Sequence, residues 1–125
     1  ALQFARAYRL HLRDVEGCDR AAGGGHLEAL MWLRRIGCPW GVFTGIAAAR
    51  GGHARVLRWM HSHGFMWWGV ATFEAAARSG SLEAVKALSE IGCPCGLSAR
   101  RAAAECGHHD IVAWIDTDRL RAAPA

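Results

Sequence analysis

The residues best suited to chemistry gather near the C-terminal end of the chain. Cys93, Cys95, Cys106, His108 and His109 combine thiols with imidazoles, and that donor set suits Zn²⁺. Cys93, Cys95, Cys106 and His108 are the candidate ligands. Their spacing is not that of a zinc knuckle, because one residue separates Cys93 from Cys95 where two are usual. The thiols of Cys18, Cys38 and Cys106 are candidate nucleophiles, but none has a base at a readable spacing. The run Gly23-Gly24-Gly25 follows no strand pattern, so it reads as a turn between helices and not as a phosphate loop. No enzymatic reaction is expected, and zinc is the one cofactor to weigh.

Basic and aromatic residues raise a second chemistry. The formal net charge is +4, and Lys86 is the only lysine, so the positive charge is almost wholly arginine. Arginines interleaved with tryptophans can hold phosphates and stack bases. Against a nucleic-acid partner, Glu28, Glu74, Glu83, Glu90 and Glu105 balance the cations locally, and Trp32, Trp59 and Trp114 recur on an apolar face. Trp40, Trp67 and Trp68 stand elsewhere, in loops after helix-ending glycines. There they either fold back to seal the core or anchor a partner.

The elements that position these residues come from a repeat. Residues 25–40 read GHLEALMWLRRIGCPW, 52–67 read GHARVLRWMHSHGFMW, 80–95 read GSLEAVKALSEIGCPC, and 107–115 read GHHDIVAWI. Their leading glycines, Gly25, Gly52, Gly80 and Gly107, lie 27, 28 and 27 residues apart. A fixed period of this size marks an array in which each unit covers its neighbour's apolar face. After each glycine, apolar residues fall at helical spacing: Leu27, Ala29, Leu30, Trp32, Leu33 and Ile36 in the first unit. Gly37, Gly64 and Gly92 then stop the helix, and Pro39 and Pro94 prevent its continuation. A preceding helix is expected over 43–50, 72–78 and 98–105, each with three consecutive alanines for close helix contact.

The repeat also accounts for part of the cysteine and histidine cluster. Cys93 occupies the position of Cys38, and His108 that of His26 and His53. Five cysteines without a paired framework predict reduced thiols and an intracellular, cytoplasmic setting. No apolar run approaches the roughly 20 residues of a membrane span.

Residues 25–37 closely resemble the second helix of the ankyrin repeat, whose common form is GHLEVVKLLLEAG. Residues 48–53, AARGGH, resemble the ankyrin AARNGH turn. The resemblance covers about 15–115. The ankyrin period is about 33 residues, and the shortfall here lies after GCPW, where ankyrins build a β-hairpin finger. The TPLH start of the first helix is also replaced, by FTGI, ATFE and SARR. The chain is thus similar to short, GCPW-type ankyrin-like arrays of giant DNA viruses and some protists. The resemblance implies an all-α solenoid with shortened or absent fingers that binds a partner protein without catalysis.

One repeat domain over 1–125 is therefore expected, with a capping helix at 1–13, units at 14–40, 41–67, 68–95 and 96–121, and a tail at 122–125. The expected chain is monomeric, touches no membrane and contacts its partner through Trp40, Phe43, Trp67, Trp68, Phe73, Arg100 and Arg101.

Overall fold

The computed structural model describes residues 16–122, with side chains described through residue 118. The helix expected over 1–13 and the end of the tail, 123–125, lie outside the described residues. Within them the protein is all-α, with eight helices and no strand: α1 Glu16–Gly23, α2 Leu27–Arg35, α3 Val42–Arg50, α4 Ala54–Ser62, α5 Val70–Ser79, α6 Leu82–Ile91, α7 Leu97–Glu105 and α8 His109–Ala122.

Local chemistry sets where these helices end. Gly37, Gly64 and Gly92 have φ of 92°, 88° and 92°. That left-handed turn lets the next amide reach back five residues: Cys38 N donates to Leu33 O at 2.9 Å, Phe65 N to Met60 O at 3.0 Å and Cys93 N to Leu88 O at 2.9 Å. At its start, α6 is capped by Ser81, whose Oγ accepts from Ala84 N at 3.2 Å. The last helix outruns its expected apolar pattern, continuing past Asp116 to Ala122.

The odd-numbered helices pack successively, α1 on α3, α3 on α5 and α5 on α7. Alanine makes this possible, since Ala21, Ala22, Ala48, Ala49, Ala76, Ala77 and Ala103 are completely buried between them. Each odd helix also packs on the even helix that follows it, and α4 packs on α6. Leu30, Leu33, Val56, Leu57, Met60, Val85, Leu88, Ile111 and Ile115 fill this second layer. Trp32, Trp59 and Trp114 are half-buried against it. Ile36 departs from expectation and is 48% exposed. It follows the last residue of α2 and precedes left-handed Gly37, so its side chain leaves the buried stripe as the helix unwinds.

A size exchange runs through the units. The position just after the helix-ending glycine holds Cys38, Phe65 and Cys93 in turn, all buried. The facing position on the odd helix holds Cys18, Gly45 and Phe73. Two cysteines meet in the first unit, where Cys18 Sγ lies 3.7 Å from Cys38 O. In the second, a Cβ on Gly45 would come within 2.9 Å of the Phe65 ring. In the third the bulk changes sides, with Phe73 on the helix beside the Cys93 thiol. Close packing requires such compensation, because a void or a clash each costs stability.

Two changes test this packing. Ala76→Leu should lower stability by about 1–3 kcal/mol through overpacking, read as a lower midpoint in thermal circular dichroism. An unchanged midpoint would mean that α5 has more room than its neighbours leave it. Phe65→Ala should cost about 3–5 kcal/mol. The pair Gly45→Phe with Phe65→Cys, which copies the third unit, should be more stable than either of its single changes; simply additive losses would dismiss the exchange.

Candidate partner-binding surface

The outward side of the odd helices is built by default. Their alanine stripe faces the core, so residues on the opposite stripe face solvent. In α3 this stripe carries Phe43, Ile46 and Arg50, spaced i, i+3 and i+7. In α5 it carries Ala71, Glu74, Ala75 and Arg78. Together they line a groove of about 380 Å³, with Ser79 at one end. Phe43 is 68% exposed on its wall. Arg78 pairs with Glu74 at 3.2 Å on the same helix. Arg50 and Arg101 are exposed and have no ion-pair partner among the described residues.

A second feature borders the groove. The first residues of α3, α5 and α7 are Val42, Val70 and Leu97, and all three are exposed. They form a row, because these helices pack in succession and a Cβ on Gly96 would meet Val70 at 2.9 Å. Met66 and Trp67 extend the row along the preceding loop, and Met66 is the most exposed of the set at 81%. The extra residue of this unit pushes them outward: Phe65 and Trp68 turn in, and the two residues between them are left outside.

The aromatic residues expected at the interface divide. Trp40 is half-buried, edge-on to Trp59 at 6.0 Å and to Phe65 at 5.3 Å. The Arg34 guanidinium covers its ring at 4.2 Å, while Arg34 Nη1 donates to Cys38 O at 2.8 Å. Trp40 therefore seals the end of α2. Trp68 also turns inward, 4.7 Å from Phe65, and its indole nitrogen is buried with no hydrogen-bond partner among the described residues. Phe73 requires correction as a contact residue. It is only 2% exposed, on the stretch of α5 whose backbone meets the Cys93 thiol. Arg100 is occupied by Asp116, with Nε at 2.7 Å and Nη2 at 3.1 Å, which joins α7 to α8 and raises the guanidinium's affinity for its proton. Phe43, Trp67 and Arg101 remain accessible.

The zinc candidates are not drawn together. Cys93 is buried, with its thiol directed at Gly69 O at 3.2 Å. Cys95 and Cys106 are exposed, and His108 Nε2 lies 3.3 Å from Arg78 O. Among the described residues no group of three or more His, Cys, Asp and Glu is placed to hold a metal ion. Burial pushes the Cys93 thiol up to about 12, and burial beside Cys38 pushes Cys18 up as well. Both are thus poor nucleophiles near neutral pH.

Sequence reasoning missed Ile46, Arg50, Glu74 and Arg78 as a lining, and Val42, Met66, Val70 and Leu97 as a row. The first set was detectable as the i, i+3, i+7 stripe opposite the alanines. No helix among the described residues is long and apolar enough to cross a membrane. No protein-family model matches the chain. No curated protein matches it at a significant level.

The buried thiol gives a pH dependence. In the unfolded chain Cys93 ionises near its ordinary value of 9.0, whereas in the fold it holds its proton to about 12. The unfolded state binds fewer protons in that window, so stability falls as pH rises through it, by at most about 1.4 kcal/mol per unit. Chemical denaturation between pH 8 and 10.5 should show a slope that Cys93→Ala makes shallower. An identical slope in the variant would show that this thiol ionises equally well in both states.

Proposed function

We propose that the chain is a non-catalytic scaffold that binds a partner protein through its odd-helix and loop surface. On this reading the helix pairs form an ankyrin-like solenoid with shortened loops. Three features support it. The odd helices contact one another in chain order. The same left-handed glycine turns recur in every pair. The end of each even helix reaches the next odd helix through only a few residues, which leaves no room for a long hairpin finger.

The observation that carries the interaction reading is the exposed apolar row of Val42, Phe43, Met66, Trp67, Val70 and Leu97. Scattered apolar residues are ordinary on a protein surface, but a continuous set on one side marks a surface that another molecule covers. The even helices present Glu28, Arg35, Arg55 and Glu83, with Met31 and Ile36 as the exposed apolar residues of α2 and its end.

Phe43→Ala with Arg101→Ala removes exposed atoms only, so folding should be nearly unaffected. Recovery of the partner from an extract of the source cells should fall about tenfold or more, with the thermal midpoint almost unchanged. Full recovery by this double variant, with loss on Arg35→Glu and Arg55→Glu, would move the interface to the even helices.

A further inference from the structure

The groove between α3 and α5 has a direction, and its two ends differ in chemistry. Phe43 and Ala71 lie at the end where the helices begin; Arg50, Arg78 and Ser79 lie where they finish. Ile46 and Ala75 form the floor between them. Phe43 and Arg50 are seven residues apart on one helical stripe, a separation of about 10 Å. Ser79 is already committed, its hydroxyl donating to Ala76 O at 2.6 Å. The Glu74 carboxylate is committed to Arg78. Arg50 is the unmatched charge: its guanidinium is exposed, and no carboxylate answers it among the described residues.

We infer that this groove takes an amphipathic segment of the partner that sets an apolar side chain against Phe43 and a carboxylate against Arg50, about 10 Å farther along. On a partner helix that spacing is seven residues, two turns of one face. Charge complementarity chooses the occupant. With Arg50, Arg78 and Glu74 all charged, the end of the groove carries one net positive charge. A basic segment would bring a second cation to Arg50 with nothing to balance it, whereas an acidic one completes the pairing. The corresponding faces of α5 and α7 offer no such contrast, since the charges of Glu74, Arg78, Arg101 and Glu105 cancel and Ala71 stands on α5 where Phe43 stands on α3. The inference rests on the proposed interaction surface and adds the partner's chemistry.

Selection of random 16-residue peptides displayed on phage, using the whole chain as bait, tests it. The expected winners carry a large apolar residue followed seven positions later by Asp or Glu. Their affinity, read by fluorescence anisotropy, should fall about tenfold on Phe43→Ala and at least as far on Arg50→Glu. Replacing the acidic residue with Lys should restore binding to the Arg50→Glu variant. Winners that need Phe43 but ignore the charge at position 50 would overturn the acidic partner while leaving the interaction surface intact. Winners indifferent to both positions, or no winners at all, would overturn both. Self-association of the chain that Phe43→Ala abolishes would assign the groove to a second copy and overturn the inference in favour of that occupant.

Discussion

The structure depends on a contact that each helix pair makes backward onto the one before it. His53 Nε2 lies 3.0 Å from Gly23 O, Ser81 Oγ donates to Gly52 O at 3.2 Å, and His108 Nε2 lies 3.3 Å from Arg78 O. These side chains occupy space that only glycine leaves open. A Cβ would strike His53 at 2.6 Å from Gly25, Ser81 at 2.8 Å from Gly52 and His108 at 2.7 Å from Gly80. The same glycines have φ near +70 to +80°, so two independent demands fall on one residue. The backward contact fixes how far each pair is from the next. The buried alanines then set how closely the odd helices approach, and this approach places the exposed stripe of α3 beside that of α5.

Much of this was legible in the sequence because it depends on local chemistry. Glycine spacing and helical apolar periodicity located the helices to within a residue or two, except for the end of the last one, and the alanine triplets marked the buried contact. The surface was harder to read. Phe73 and Phe43 are both aromatic residues near the start of an odd helix, and only their repeat positions separate them: Phe73 holds that of Cys18 and Gly45, Phe43 that of Ala71 and Ser98. Their fates diverge because Phe73 is buried on the stretch of α5 beside the Cys93 thiol, while Phe43 is 68% exposed. That distinction needs a partner twenty residues away in the chain. The loop tryptophans divide for a similar reason. Trp40 and Trp68 stay in because Trp59, Phe65 and Gly45 offer surfaces that fit them; Trp67, one residue from Trp68, meets the Phe65 ring edge-on at 5.3 Å yet remains 47% exposed.

The cysteine and histidine cluster separates in space for a related reason. Repeat position, not shared chemistry, decides where these residues go. Cys93 follows Cys38 into the core, and His108 follows His53 onto the backbone of the preceding pair. Cys95 and Cys106 lie outside those two positions and stay at the surface. Proximity along a chain of stacked pairs therefore says little about proximity of side chains, because successive residues are distributed among layers with separate duties.

The matched bulk of Cys18 with Cys38, Gly45 with Phe65 and Phe73 with Cys93 is settled inside a single pair of helices. Along the odd helices and the turns that follow them, the joints between pairs use a nearly constant vocabulary of alanine, glycine, histidine and serine. Genetic crossovers that duplicate or delete a complete pair therefore keep every large residue with its small counterpart. Crossovers inside a pair bring two phenylalanines together or leave two small residues facing a gap. Such a chain can lengthen and shorten over evolutionary time in whole modules, while the interior of each module drifts as a correlated couple.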